Sequence, residues 1–231
     1  MRGLDGLRAV LFDVDFTLCQ PGPQLGPEGY RAAAARVGLV LDPARYDEAR
    51  LAAVKDIRHH PELEHDDEVW IRFTEDIVRG MGGSGPGARA VAESIVLAWE
   101  SHENFELYDD ALPAVAAVKA AGLKVALVSN AARDLDVFAA HHALDADAVV
   151  TSRWHGKVKP HPTIFLAALS LLDVDPADAL MVGDSPADDV EGARSVGMHA
   201  VLLDREGLYP GRPDRVPSLA ALVELLGLAP A

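Results

Sequence analysis

Ala9-Val10-Leu11-Phe12-Asp13-Val14-Asp15-Phe16-Thr17-Leu18 decides the fold of this chain. Four apolar residues run into a carboxylate, and a second carboxylate follows two residues on. The apolar run reads as a strand buried on both faces, as in a parallel sheet covered by helices. The aspartates do not belong to that run, because Asp is disfavoured in strands and costly to bury unpaired. Two of them close together repel unless a cation or a proton compensates. In open α/β sheets the crevice beyond the carboxyl ends of the strands takes the ligand. The segment therefore reads as a catalytic or metal-binding strand end. An Asp-rich turn after a core strand is the plainer alternative, which this segment alone leaves open.

Outward from this strand the pattern changes twice. Gln20-Pro21-Gly22-Pro23-Gln24 is a breaker cluster and hence a loop. From about Leu25 to about Asn104, apolar residues recur at helical spacing without a convincing strand. Asp42-Pro43 is an N-cap followed by Pro at the first helical position, opening a helix that carries Leu51, Val54 and Ile57. Val69, Trp70, Phe73, Ile77 and Val78 mark another face, and Val91, Ile95, Val96 and Trp99 a further one. Trp70, Phe73 and Trp99 are expected inside a small helical bundle. After Phe105, strands at 123–128, 148–150, 179–182 and 199–203 alternate with helices. Such alternation implies an α/β fold with a doubly wound parallel sheet. Residues 1–20 and 105–231 are expected to form that core, with 21–104 inserted as a helical domain.

The bulk properties narrow the function. The chain has 231 residues, 49% of them hydrophobic, with a formal net charge of -15. That charge argues against nucleic acid, whose phosphates need Lys and Arg to neutralise them. No stretch approaches the roughly 18 unbroken apolar residues of a membrane span, and no signal-peptide pattern precedes the first strand. The single cysteine, Cys19, excludes an internal disulfide and fits a reducing cytoplasm. It is expected to be a small buried hydrophobe.

Three strands end in polar residues: Asp13 and Asp15, Ser129 and Asn130, Asp184 and Ser185. Parallel strands place those ends along one edge of the sheet. Three aspartates and a hydroxyl there make a hard-oxygen site suited to Mg²⁺, which takes a few carboxylates, keeps water and accepts phosphate oxygens. Lys159, in the loop before a helix, adds a point charge for the same phosphate.

Asp13-x-Asp15-x-Thr17, Ser129-Asn130, Lys159-Pro160 and Gly183-Asp184-Ser185-x-x-Asp188-Asp189 together resemble, in order and spacing, the four motifs of the haloacid dehalogenase superfamily. The helical insertion resembles that superfamily's cap. The resemblance implies a phosphatase branch with Asp13 as the nucleophile, forming an aspartyl-phosphate. It implies Asp15 as general acid and then general base, with its backbone carbonyl on Mg²⁺ beside Asp13 and Asp184. Ser129 and Lys159 would hold the phosphoryl oxygens, with Asn130 ordering that loop. Asp189 would orient Lys159 or a metal-bound water, a role that Asp188 could share. Thr17 would stabilise the turn through its hydroxyl. The substrate implied is a small phosphorylated metabolite, and the protein a monomer or homodimer. The superfamily usually has Gly where Phe16 stands. Trp154, His155 and Lys157 make the loop before Lys159 unusually aromatic and cationic, either to contact substrate or simply to pack.

Dehalogenation of a 2-haloacid uses the first Asp but needs neither a metal nor the second, so Asp15 and Asp184 count against it. Phosphate transfer to a sugar stays open, as does a non-catalytic binding role. Gly80-Met81-Gly82-Gly83-Ser84-Gly85 matches the dinucleotide fingerprint but follows a helix, not a strand, and reads as a flexible link. His59, His60 and His65, with Glu62 and Glu64, fit no standard zinc spacing and read as a solvated segment. His141-His142 near a helix end favours the helix dipole.

Overall fold

The structure is a computed structural model and describes residues 6–229. The chain folds as two compact units, Met1–Gln20 with Leu107–Ala231, and Pro21–Glu106. Strand β1 (Ala9–Phe12) opens the first unit. Strands β2 (Cys19–Pro21) and β3 (Phe105–Leu107) pair with each other where the chain passes between the units. At three residues each, they are too short to carry a readable alternation.

The second unit is helical: α1 (Pro27–Ala35), α2 (Tyr46–Asp56), α3 (Asp67–Gly80) and α4 (Pro86–Ala98). Asp42 caps a 3-10 turn, Pro43–Arg45, that leads into α2, its side chain accepting from Ala44 N at 3.0 Å. Helix α3 packs against α2 and α4, and α4 against α1. Phe73 is buried, and Trp70 and Trp99 lean on it with ring centroids 6.3 and 6.1 Å away. The glycine-rich stretch is a helix-to-helix connection, and part of it is there for packing. A Cβ on Gly80 would lie 2.5 Å from the Ala49 side chain, so only glycine lets α2 and α3 approach so closely.

The first unit carries the sheet. After α5 (Ala111–Ala120) come β4 (Lys124–Ser129), α6 (Leu135–His141), β5 (Ala148–Thr151), the short α7 (Ser152–His155) and α8 (Pro162–Leu172). Then follow β6 (Ala179–Gly183), a π-helical turn over Pro186–Glu191, α9 (Gly192–Ser195), β7 (His199–Leu203), β8 (Arg215–Val216) and α10 (Leu219–Leu225). The six strands run parallel in the order β5-β4-β1-β6-β7-β8. Every residue of β1 is buried, because helices cover both faces. Ala9, Leu11, Ala126, Val128 and Met181 pack with Ile164, Phe165 and Val190 in one core cluster on one face. Strand order reverses around β1, with β4 on one side and β6 on the other. That switch point is where open α/β sheets bind ligands. After β6 the chain does not form one continuous helix but the π-helical turn followed directly by α9. Among the described residues no helix is long and apolar enough to cross a membrane.

Candidate active site

The sheet register brings the three polar strand ends together. Phe12 lies level with Leu127 of β4 and Val182 of β6, and Asp13 extends the ladder by donating its N–H to Val182 O at 2.9 Å. Ser129 is the last residue of β4 and Asp184 follows directly on β6, so both lie at the same edge of the sheet as Asp13. Beyond Asp13 the backbone turns sharply, the N–H groups of Thr17, Leu18 and Cys19 all donating to Val14 O. The turn needs a left-handed residue, and Phe16 supplies it at φ 60°. That conformation suits glycine and crowds a bulky L-residue.

Asp13 and Lys159 are both buried, and the Lys159 Nζ lies 2.6 Å from Asp13 Oδ1 and 2.6 Å from Asp189 Oδ1. Asp189 turns its other oxygen to Ser185 N at 2.9 Å. Carboxylate oxygens of Asp13, Asp184 and Asp189 all lie within 4.8 Å of one another. Three carboxylates thus face one ammonium. Burial pushes the Asp13 carboxyl up to about 7; Lys159 opposes the rise, and the charges of Asp189 and Asp15 add to it. Asp184 is held well above the usual range by burial and by Asp13 and Asp189. Asp189 is raised by burial, against Lys159. Burial acts to lower Lys159, but Asp13 and Asp189 outweigh it and keep the ammonium charged.

Gly183 makes this cluster possible. A Cβ there would lie 2.2 Å from the Asp189 carboxyl carbon. The glycine before Asp184 therefore serves close approach rather than backbone freedom.

Asp15 sits apart from that cluster. Its Oδ1 accepts from Arg133 Nη2, and its Oδ2 faces Ser129 Oγ at 3.4 Å. The buried thiol of Cys19 lies 3.8 Å from Asp15 Oδ1, and burial, with the Asp15 charge, pushes that thiol's pKa well up. Asn130 spends both ends of its amide on Lys159, donating Nδ2 to Lys159 O at 3.0 Å and accepting Lys159 N at 2.7 Å. It anchors the backbone that carries the ammonium. Thr17 departs from expectation: its buried hydroxyl has no hydrogen-bond partner among the described residues. Its carbonyl accepts from Arg205 Nη2 at 2.9 Å, so its backbone rather than its hydroxyl holds the turn. Asp188 lies outside the carboxylate cluster, and its N–H donates to Ser185 Oγ at 3.1 Å.

Two arginines escape a sequence reading. Arg133 comes from the loop after β4, and nothing local marks it as buried. Arg205 follows β7, pairs with Asp110 at 2.8 Å and lies over the Tyr108 ring at 3.9 Å. The only sequence signal for either is an isolated cation near a strand end.

The other candidates lie elsewhere. Trp154 is 76% exposed, and with His155 it lines a cavity of about 450 Å³ beside Val149 and Leu171 that none of the site residues reaches. His65 pairs with Asp67 at 3.0 Å and His60 accepts from Glu62 N, and no three-residue metal cluster forms there among the described residues.

Residues 7–197 match the haloacid dehalogenase-like hydrolase family. The chain belongs to the haloacid dehalogenase-like hydrolases. Haloacid dehalogenase-like hydrolase domain-containing protein 3 of Bos taurus is 32% identical over 97% of this chain and 93% of its own. A phosphoserine phosphatase of Thermus thermophilus is 35% identical over 64% of this chain; the match spans 59% of that relative's length. The crystal structure of a HAD phosphatase from Thermococcus onnurineus superposes with a TM-score of 0.65 at 25% identity, covering 97% of this chain and all of that one. Membership in this hydrolase family makes the chain an enzyme, and the four motif positions fall on the strand ends and loops described above.

Proposed function

We propose that this hydrolase is a Mg²⁺-dependent phosphatase of a small phosphate monoester, working through an aspartyl-phosphate on Asp13. The observation that carries the reading is the buried charge imbalance at the end of β1. Among the described residues Asp13, Asp184 and Asp189 gather around one ammonium, that of Lys159, and burial, with the charges of Asp189 and Asp15 adding to it, pushes the Asp13 carboxyl up to about 7. Such a set fits a hard divalent cation. Asp13 and Asp184 would hold it, with the Asp15 carbonyl. When bound, the ion would draw charge from the phosphoryl oxygens.

The chain's own residues would do the rest. A carboxylate oxygen of Asp13 would attack phosphorus as the bond to the leaving oxygen breaks. Asp15 would give that oxygen its proton, then take one from the water that splits the aspartyl-phosphate and frees inorganic phosphate. Lys159, fixed by Asp189 and by Asn130 at its backbone, would hold a phosphoryl oxygen, and Ser129 another. The helical unit would act as the cap that selects the substrate. The protein would work in the cytoplasm as a monomer or homodimer.

The test is hydrolysis of a panel of phosphate monoesters with Mg²⁺. Asp13→Asn and EDTA are each expected to abolish turnover. Full activity in either case overturns the reading. Three carboxylates around one ammonium favour it over dehalogenation, and halide release from 2-chloropropionate without Mg²⁺ would reverse that preference.

A further inference from the structure

Arg133 has no part in the chemistry above, yet it is among the most enclosed cations of the site. Its side chain is 3% exposed while that of its partner Asp15 is 29% exposed. The guanidinium lies 5.0 Å from the Phe138 ring centroid. Burying a guanidinium is costly unless a carboxylate meets it, so the pair constrains both members. The loop carrying Arg133 is pinned along its length. Asn130 is tied to the Lys159 backbone, Arg153 Nη1 donates to Ala132 O at 3.1 Å, and Asp134 caps α6 by accepting from Asp136 N and Val137 N. Arg133 is thus a fixed point and Asp15 the more open partner.

We propose that Arg133 is a positioning residue for Asp15, holding one carboxylate oxygen so that the other stays aimed at the Ser129 side of the site. This inference rests on the phosphatase reading. Proton transfer needs the carrier within hydrogen-bond reach of the leaving oxygen, and a carboxylate anchored through Oδ1 keeps Oδ2 on a short arc. A carboxylate without that anchor would sample other rotamers and lose reach. In the first half-reaction Asp15 passes its proton to the departing oxygen as the P–O bond breaks and the Asp13–P bond forms. In the second it takes a proton from water as that bond breaks.

Leaving groups separate positioning from general damage. Nitrophenolate departs without a proton, whereas an alkoxide needs one. The experiment compares kcat/KM for p-nitrophenyl phosphate and 2-phenylethyl phosphate in the wild type, Arg133→Met, Arg133→Lys, Asp15→Asn and the double variant. Since kcat/KM reads only through the first irreversible step, the second half-reaction does not mask the difference. Arg133→Met is expected to lose on the order of 100-fold on the alkyl ester and roughly tenfold less on the nitrophenyl ester. Arg133→Lys should recover part of the loss. Adding Arg133→Met to Asp15→Asn should change the ester ratio no further.

Equal losses on the two esters, an unchanged ratio, or losses that multiply with Asp15→Asn would overturn the proposal. If the Met variant does not fold, the Lys variant decides it: a lowered alkyl-to-nitrophenyl ratio supports positioning, and the wild-type ratio overturns it. A wild type without Asp13-dependent turnover of either ester removes the phosphatase reading itself, and the inference with it.

Discussion

Adding one methyl group at Gly183 should disable the charged cluster. The new Cβ would lie 2.2 Å from the Asp189 carboxyl carbon and 2.7 Å from its Cβ, so Asp189 must move bodily rather than swing its tip aside. Asp189 is 1% exposed and bonds Lys159 Nζ at 2.6 Å and Ser185 N at 2.9 Å. Each is a hydrogen bond to a charged group, worth about 1.5–3 kcal/mol, and the overpacking adds about 1–3 kcal/mol. Some of this is recovered as the neighbours shift, so Gly183→Ala should cost on the order of 3–5 kcal/mol. For a chain of this size that lowers Tm by roughly 6–20 °C. Thermal unfolding followed by circular dichroism reads the shift, and phosphate release reads the accompanying loss of turnover. The double variant Gly183→Ala/Asp189→Ala isolates the cause. If the clash is the mechanism, Gly183→Ala costs far less in the Asp189→Ala background. A Gly183→Ala protein that melts within about a degree of wild type and keeps its activity would refute the close-approach argument.

Lys159→Met leaves the buried carboxylates of Asp13 and Asp189 without their cation and should cost about 3–5 kcal/mol, read from the urea midpoint; an unchanged midpoint would contradict the pairing. Asp13 has its carboxyl raised from 3.8 to about 7 by burial, so its stabilisation of the fold is present below pH 3.8 and is lost as pH rises through about 7. The Tm of EDTA-treated protein should therefore fall between about pH 4 and pH 7, and added Mg²⁺ should reduce the fall; a Tm that climbs across that window without Mg²⁺ would count against it. At Phe16, held at φ 60°, Gly and Ala should reverse their ordinary order, Phe16→Gly being at least as stable as Phe16→Ala. The left-handed conformation costs an L-residue about 1–2 kcal/mol, more than glycine's chain entropy of about 0.5–1 kcal/mol; an Ala variant clearly more stable than the Gly variant would argue against that conformation.

What the sequence displays follows from the range of the forces involved. The long strands announce themselves because burial on both faces demands an unbroken apolar run, and Ala9–Phe12 and Ala179–Gly183 comply. Their polar ends stand out because Asp13 and Asp184 have no reason to follow a buried strand except chemistry or a turn. Strands β2, β3 and β8 leave no such trace, being set by pairing across the chain rather than by their own composition. Arg133 is illegible for a related reason. In Ala131-Ala132-Arg133-Asp134 it looks like any solvated loop cation, and only its ion pair with a residue 118 positions earlier buries it. Asn130 is legible in kind but not in partner: it orders the loop as its place at a strand end suggests, yet both ends of its amide go to a backbone 29 residues away that no local pattern names. Phe16 was visible only as a departure from the superfamily's glycine, and its positive φ supplies the physical content of that departure.

Asp13 and Asp15 are two residues apart, but they occupy different electrostatic settings. Asp15 is paired with the buried guanidinium of Arg133. Asp13 shares one ammonium with Asp189 while Asp184 stands alongside, so its cluster carries surplus negative charge in a buried place. Surplus charge of that kind is unstable by itself and calls for a cation, which would leave Asp13 ionised and able to attack. A carboxylate already paired with a guanidinium and partly exposed has less call for a further cation and faces solvent on one side. Two carboxyl groups placed in unlike surroundings can take unlike roles. Under the proposed phosphatase reading, the division of labour between nucleophile and proton carrier would be set less by the aspartates themselves than by Lys159 and Arg133. Lys159 arrives from the loop between α7 and α8, and Arg133 from the loop after β4.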